Sequence, residues 1–278
     1  MEPYRSQRAV TDRQSDLARI EKALTVAAQV LSAYWPTASG LDHMSRHDPT
    51  TQPELALDRA LREELVDVGE SWLSEENGEI GYRQKHERVW VVQYLDGIRG
   101  LLKGIPEWAV SIGLIEGSHA VAGGVLNPAT GFLALGASGL GCALNGVAVR
   151  ASRASSLDGA LVLASRAEFG RGEWQTWPEA NFTIEPIGSM AYRLALVACG
   201  LADATWTLVP KNDWDVAGGV ALVTASGGWA KTPDGEPLRF NRPKPVITGL
   251  LAAGPGLMEC LTPEWVGAWP QADPETRP

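Results

Sequence analysis

The sequence has few cysteines and no long apolar run. Its three cysteines are widely spaced and lie in apolar stretches, which predicts buried free thiols in a reducing compartment. A zinc site would need paired cysteines, and that spacing is absent from the sequence. No apolar stretch reaches the ~18 residues that cross a bilayer, and the N-terminus lacks the apolar core of a signal peptide. We therefore expect a cytoplasmic protein without a membrane partner.

Positive charge is also scarce. The formal net charge is −9 and the isoelectric point is near 5.0. This balance argues against a nucleic acid polymer as partner, because such binding rests on clustered Lys and Arg. A small anionic substrate is compatible with this negative net charge if metal ions supply local positive charge. With 278 residues, 45% of them hydrophobic, the chain can bury one large core or two closely packed halves.

Hydrophobic periodicity predicts two helices followed by a run of strands. Apolar residues recur at steps of three and four from residue 17 to residue 34, which predicts an amphipathic helix that begins near Ser15. A second helix is predicted from Thr51, with a leucine on one face of each following turn. Three β-rich runs separated by turn dipeptides then predict an antiparallel meander, at 108–115, 120–126 and 132–137.

Beyond residue 155 strands and helices are mixed in the prediction. The strands are predicted at 161–164, 182–184 and 206–209, and the helices at 190–199, 214–227 and 247–261. Elements mixed in this way after a meander are typical of a layered α/β protein. We expect an N-terminal α+β half at 15–154 and a C-terminal α/β half at 155–270, between flexible polar tails at 1–14 and 271–278.

A candidate site begins where a predicted strand runs into the turn dipeptide Asp96-Gly97. A carboxylate at the end of a buried strand is held rigidly and faces solvent, which suits a metal ligand or a general acid or base. Acidic residues recur elsewhere, at Glu54, at Glu75 beside Glu76, and at Asp215.

These acidic stretches, in this order, resemble the motifs of the inositol monophosphatase superfamily of metal-dependent phosphatases, including its 3′-phosphoadenosine 5′-phosphate phosphatase branch. The matching stretches are D-P-T-T-Q-P-E at 48–54, S-E-E at 74–76, W-V-V-Q-Y-L-D-G-I at 90–98, G-S at 188–189 with A-D at 202–203, and W-D-V-A-G at 214–218. The resemblance implies that family's α-β-α-β-α sandwich, with the meander in the N-terminal half and a smaller mixed sheet in the C-terminal half. It also implies Mg²⁺, a small phosphorylated substrate and a homodimer.

The resemblance implies metal ligands by position. Glu75 would hold a water-carrying Mg²⁺ together with the backbone carbonyl of Leu95. Asp96 and Asp215 would hold a second ion nearer the leaving group. Glu54 stands where the family has an aspartate that helps activate water, and its extra methylene displaces the carboxylate.

Substrate contacts are implied in the same way. The backbone amides of Gly97 and Ile98, at the start of a helical turn, would cradle the phosphate. Arg99 and the segment after Gly188 would contribute the other contacts. The residues expected in that segment are Ser189, Tyr192 and Arg193.

Two departures from the family pattern weaken the expected chemistry. The carboxylate that bridges both metal ions in the family is Gln93 here, and a neutral amide can give one oxygen but no charge. Ile98 replaces a threonine whose hydroxyl orients the attacking water. We therefore expect at most one firmly held ion, on Asp96 and Asp215, and weakened or altered hydrolysis. A repurposed relative that catalyses a non-hydrolytic biosynthetic step, or a catalytically silent binding partner, are the alternatives.

Overall fold

The structure is a computed structural model that describes residues 2–34, 51–76, 83, 85–174 and 181–262. Its first sheet has seven strands in chain order: β1 (Glu70–Ser74), β2 (Arg88–Asp96), β3 (Ala109–Glu116), β4 (His119–Asn127), β5 (Phe132–Ala137), β6 (Gly141–Leu144) and β7 (Val147–Val149). β1 and β2 are parallel, and every later neighbour pair is antiparallel. The predicted meander is therefore confirmed as β3 to β5.

The second sheet has five strands and a mixed topology. Its strands are β8 (Leu161–Ser165), β9 (Thr183–Ile187), β10 (Ala204–Thr207), β12 (Trp229–Lys231) and β14 (Leu250–Ala253), in the order β12-β14-β10-β8-β9. β8 is parallel to both of its neighbours, whereas β14 is antiparallel to both of its own. A small separate pair is formed by β11 (Lys211–Asn212) and β13 (Val246–Ile247).

Helices fill the layers around the two sheets. The helices are α1 (Glu2–Tyr34), α2 (Thr51–Leu65), α3 (Ile98–Leu101), α4 (Arg166–Gly170), α5 (Met190–Ala198) and α6 (Asp213–Ala225). α1 and α2 pack on one face of the first sheet, and α5 and α6 lie between the two sheets. The outer face of the second sheet packs against Trp174, Leu257 and Leu261. The expected α-β-α-β-α sandwich is confirmed.

Helix α1 buries the stripe that its spacing predicted. Ile20, Leu24 and Leu31 are at most 2% exposed and belong to one apolar cluster with the leucine face of α2. The helix begins at Glu2, so residues 2–14, which the sequence placed in a flexible tail, are helical. Long-range ion pairs explain this in part, because Arg13 donates to Glu116 at the end of β3. Residues 271–278 lie outside the described part of the chain.

Ion pairs fix α1 to the ends of three strands. The guanidinium of Arg88 on β2 pairs with Asp16 on α1, with Glu70 on β1 and with Glu116 on β3. The side chains of Asp16 and Glu70 are only 3% and 8% exposed. Buried carboxylates of this kind need their cation, because an unpaired buried charge is costly.

Helix α6 lies directly against the first sheet because glycines remove the side chains between them. A Cβ added at Gly218 would lie 2.7 Å from the carbonyl oxygen of Ile112, and one added at Gly113 would lie 2.8 Å from the amide nitrogen of Gly218. On its other side, a Cβ at Gly219 would lie 2.5 Å from Leu194 of α5. The close packing sets where the N-terminus of α6 lies relative to the strands.

The helix predicted at 247–261 was wrong. Residues 246–247 and 250–253 are strands, and only Pro255–Leu257 forms a 3₁₀ turn. Strand β14 is at most 2% exposed and is paired on both sides. A strand buried on both faces is apolar throughout, so its composition does not distinguish it from a buried helix.

The other predicted elements of the C-terminal half, which are β8, β9, β10, α5 and α6, agree with the structure to within a few residues, whereas α4, β11 and β12 were not predicted. The cysteines are free thiols; Cys142 and Cys199 are buried as predicted, but Cys260 is partly exposed. Across the described ranges, we find no helix with the length and hydropathy needed to span a membrane.

Candidate active site

A cleft of about 690 Å³ opens beside the ends of β1 and β2. This volume is in the range of small-molecule sites. It is lined by Glu54, Glu75, Glu76, Gln93, Leu95, Asp96, Gly97, Ile98, Arg99, Gly100, Lys103, Ile105, Ser165, Arg166, Ala167, Gly188 and Lys211.

The topology explains why acidic residues from distant stretches meet there. β1 and β2 are parallel, so both carboxyl ends lie at one edge of the sheet and bring Glu75 close to Asp96. Glu54 enters from the first turn of α2. Asp215, in the first turn of α6, is not part of the cleft lining, but Lys211 just before that helix is, and both Asp96 and Glu75 act electrostatically on Asp215. The predicted acidic residues are therefore brought together.

Asp96 is held by the N-terminus of α5. Its Oδ2 accepts hydrogen bonds from the hydroxyl of Ser189 and from the backbone amide of Ala191, each at 2.7 Å. Among the described residues, its Oδ1 has no hydrogen-bond donor. The carboxylate is thus oriented through one oxygen, which leaves the other for a ligand.

Asp215 is fixed in the same way by its own helix start. Its Oδ2 accepts a 2.8 Å hydrogen bond from the backbone amide of Asn212, the residue that caps α6. Burial, followed by the nearby charge of Asp96, raises the pKa of Asp215 to about 6. Lys211 and the Asn212 amide oppose this shift, and Glu75 adds to it. A bound cation would relieve the repulsion between these carboxylates.

Gln93 contacts Glu75 directly. Its Nε2 donates a 3.1 Å hydrogen bond to Glu75 Oε2. Gln93 is only 6% exposed, and its Oε1 is buried without a hydrogen-bond partner. A buried acceptor without a donor costs free energy, so a ligand that binds this oxygen would be favourable.

A β-bulge shapes the end of β2. The register with β3 shifts between Gln93 and Asp96, so that Tyr94 and Leu95 together face a single residue of β3. Bulges leave backbone groups unpaired and often lie beside active sites. The position is compatible with the predicted role of the Leu95 carbonyl, which stays a prediction. The hydroxyl of Tyr94 meanwhile donates to Asp58 of α2.

Gly97 and Ile98 form the floor of the cleft. Gly97 has φ 88° and caps α3, and a Cβ there would lie 2.5 Å from the carbonyl oxygen of Glu107. Only glycine fits this left-handed, crowded position. The first amides of α3 lack partners within the helix. Ile98 lines the cleft and also packs against an apolar cluster, and its side chain has no hydroxyl to offer a substrate or water.

Arg166 was missed by the sequence prediction. It follows β8 at the cleft wall, where its Nε donates a 2.9 Å hydrogen bond to Glu107 and its Nη2 donates to the carbonyl of Pro186. Gly188 also donates to Glu107. The position of Arg166 at the carboxyl end of a parallel strand was the available signal. Arg99, Lys103 and Lys211 are the other cations of the lining.

Three predicted substrate contacts lie away from the cleft lining. Ser189 is fully buried and donates a hydrogen bond to Asp96, so it orients that carboxylate. The ring of Tyr192 packs edge-on against Phe132, with centroids 5.1 Å apart. Arg193 is 1% exposed and donates to Thr205. These positions do not support direct contact with a substrate in the cleft, because each side chain contacts other protein groups and none of the three belongs to the cleft lining.

The donor set suits one hard cation better than two. Asp96 and Asp215 each keep one oxygen without a hydrogen bond to any described residue, and oxygen ligands suit Mg²⁺. Over the described ranges, no group of three or more His, Cys, Asp or Glu side chains meets the geometry for holding a metal ion. A ligand shell would therefore need a further oxygen from another kind of group.

Comparison with known proteins shows which family this chain resembles. The family model described as "Inositol monophosphatase family" matches residues 12–265. An "Inositol-1-monophosphatase" from Rhizobium meliloti (strain 1021) is 31% identical over 219 residues, which span 74% of this chain and 78% of that protein. A protein named "Nus factor SuhB" from Xylella fastidiosa is 32% identical over 199 residues, or 69% of each chain.

A solved structure extends the similarity to three dimensions. The inositol monophosphatase from Anabaena (Nostoc) sp. PCC 7120 superposes with a TM-score of 0.73 at 26% identity, covering 92% of this chain and 97% of that one.

Proposed function

The chain belongs to the inositol monophosphatase family, and from this premise we propose that it is a Mg²⁺-dependent enzyme acting on a small phosphorylated metabolite. The substrate class is a sugar, cyclitol or nucleotide phosphate. The observation that carries the proposal is the pair Asp96 and Asp215, oriented through one oxygen each beside the same cleft. The electrostatic influence of Asp96 on Asp215 supports their closeness.

The residues of the cleft divide the work of holding a phosphate ester. Asp96 and Asp215 hold Mg²⁺, which when bound supplies the positive charge that a phosphate requires. The free amides at the start of α3 and the guanidinium of Arg99 bind phosphate oxygens. Glu54, which also lines the cleft, would accept a hydrogen bond from the attacking water.

Hydrolysis by this site is weakened or altered, and a second candidate function follows from the same contacts. Gln93 adds no negative charge to the metal site, and its amide donates a hydrogen bond to Glu75. Ile98 packs into an apolar cluster where a hydroxyl would be needed. These two observations favour, as the alternative, a repurposed enzyme that catalyses a non-hydrolytic biosynthetic step, or a silent binding partner.

A phosphate-release assay tests the proposal. Purified protein is incubated with a panel of sugar, cyclitol and nucleotide phosphates, with Mg²⁺ or with EDTA. We expect Mg²⁺-dependent release from at least one compound, and a loss of about tenfold or more in Asp215→Asn. Asp234→Asn, an exposed residue outside the cleft lining, is the matched control.

The absence of release across the panel, with folded protein, would contradict hydrolysis. Gln93→Asp combined with Ile98→Thr then tests whether these two positions are the cause, and calorimetric Mg²⁺ titration distinguishes a repurposed enzyme, which binds the ion, from a silent partner, which need not. A gain of phosphatase activity in this double variant would mean that hydrolysis was lost through these two residues.

We further propose that the protein is a homodimer, on the strength of its family resemblance. Size-exclusion chromatography with light scattering should give about twice the chain mass of 29.8 kDa. A mass equal to one chain at micromolar concentration would contradict this.

A further inference from the structure

We propose that the cleft holds one divalent cation, with Gln93 Oε1 joining Asp96 and Asp215 as its third protein ligand, while Glu75 is bound by the Gln93 amide and takes no part in metal binding. The inference rests on the proposed function only in assuming that a metal binds. It can be tested without turnover. It differs from the position-by-position expectation, which assigned Glu75 to a metal and left Gln93 as a defect.

The orientation of the Gln93 amide carries the first step. Reversing the amide would place its oxygen against Glu75 Oε2, and two acceptors without a proton between them repel each other. The nitrogen therefore faces Glu75, in agreement with the 3.1 Å distance between Gln93 Nε2 and Glu75 Oε2. The oxygen is then directed away from Glu75.

The second step concerns the buried oxygen of the amide. Gln93 lines the cleft but is only 6% exposed. Its Oε1 is buried and accepts no hydrogen bond from the described residues. Because the described residues provide it with no hydrogen-bond donor, this acceptor is left for a group that enters the cleft. An amide oxygen is a good ligand for a hard cation.

The space between Gln93 and Glu75 carries the third step. The N–H groups of the amide lie along the line to Glu75 and present positive charge there. A cation on that line would face these hydrogens as well as the carboxylate. The hydrogen bond therefore takes the place of a second metal ion, and Glu75 is satisfied without one.

The remaining oxygens complete a single shell. Asp96 and Asp215 each present one oxygen that accepts no hydrogen bond from the described residues, and their other oxygens are fixed by backbone amides. Two carboxylates neutralise one divalent ion, and the neutral amide adds a ligand without extra charge. Water and substrate oxygens would fill the remaining positions, which Mg²⁺ commonly leaves to them.

Mn²⁺ titration of the full chain, followed by the electron paramagnetic resonance signal of the free ion, measures stoichiometry and affinity. Mn²⁺ takes the same oxygen ligands as Mg²⁺. We expect one ion per chain in the natural protein and a second ion in Gln93→Asp. Two ions in the natural protein, or none, would overturn the proposal.

Glu75→Gln and Glu76→Gln form a matched pair, because both remove one exposed carboxylate of the cleft lining. We expect the two variants to change the Mn²⁺ affinity equally, by less than about threefold, since neither would remove a ligand. A loss in Glu75→Gln that exceeds the loss in Glu76→Gln by about tenfold or more would make Glu75 a ligand and overturn the proposal. Thermal melting of each variant without metal verifies folding.

Crystals grown with Mn²⁺ supply a direct test. We expect one anomalous peak at about 2.0–2.3 Å from Gln93 Oε1, whereas a peak between Gln93 and Glu75 would refute the assignment. The number of bound ions and the phosphate-release assay test this inference and the proposed function separately. One bound ion without phosphate release would sustain this inference and refute hydrolysis, and two ions with release would do the reverse.

Discussion

Tyr94 shows how one residue can couple the candidate site to a neighbouring helix. It lies in the motif stretch at 90–98 and is 1% exposed. Its hydroxyl donates to Asp58 on α2, the helix whose first turn brings Glu54 to the cleft. Burial and this carboxylate raise the pKa of Tyr94, so the phenol stays protonated and keeps donating.

We predict that Tyr94→Phe lowers the free energy of unfolding by about 1–2 kcal/mol, because it removes a hydrogen bond to a charged acceptor. Urea denaturation monitored by circular dichroism measures this. The matched control is the same substitution in an Asp58→Ala background, where the effect should shrink to a few tenths of a kcal/mol. An unchanged effect in that background would show that the hydroxyl acts elsewhere.

At the scale of elements, the ion pairs of Arg88 join α1 to three strands. We predict that Arg88→Met lowers the free energy of unfolding at pH 7 by about 1–3 kcal/mol, because it removes charged hydrogen bonds to the buried carboxylates of Asp16 and Glu70. Each carboxylate then keeps one arginine, Arg13 for Asp16 and Arg19 for Glu70. Arg59→Met, on a side chain that is 86% exposed, should change it by less than about 0.5 kcal/mol. Urea denaturation of both variants at one pH measures the difference.

The same network predicts a pH dependence. Burial opposes ionisation of Glu70, but its hydrogen bonds from Trp90 and Arg88 outweigh that effect and lower its pKa; Arg13 lowers the pKa of Glu116. A carboxyl with a lowered pKa stabilises the fold above its unfolded value near 4.5, and this contribution is lost as the pH falls through the folded value. The stability difference between natural protein and Arg88→Met should therefore shrink between pH 5 and pH 3. A constant difference over this range would contradict the assignment.

The contact between α6 and the first sheet depends on glycine. We predict that Gly218→Ala destabilises the protein by about 1–3 kcal/mol despite alanine's better helix propensity, because the added Cβ would lie 2.7 Å from the Ile112 carbonyl oxygen. Gly170→Ala is the matched control, since a Cβ at Gly170 meets no atom within 4 Å. Thermal melting measures both. If Gly218→Ala melted at the same temperature as Gly170→Ala, α6 would be able to shift on the sheet without cost, which would contradict the prediction.

At the scale of the whole molecule, the site is assembled from both halves of the chain. Asp96 ends a strand of the first sheet, whereas the groups that orient it, Ser189 and Ala191, belong to the start of α5. Asp215 belongs to α6, between the sheets. A cation bound by Asp96 and Asp215 therefore connects elements that separate on unfolding.

We predict that saturating Mg²⁺ stabilises the natural protein by about 2–3 kcal/mol at 100 times its dissociation constant, because the ion binds the folded state only. Removing it with EDTA should reverse the gain. Asp215→Asn should lose most of the stabilisation, and Glu76→Gln should retain it. Differential scanning calorimetry with and without Mg²⁺ measures these shifts, and an equal gain in Asp215→Asn would contradict the ligand assignment.

The sequence by itself determined the helical stripe of α1, the meander β3 to β5, and the order of acidic motifs that identifies the family, because these are local patterns of spacing and composition. Tertiary structure decided that residues 250–253 are a strand, since that depends on partners that lie far away in the chain. It also decided the direction of each site side chain. Gln93 turns its nitrogen to Glu75 and Arg193 turns into the core, because a side chain's orientation follows from the donors and acceptors that the fold places around it.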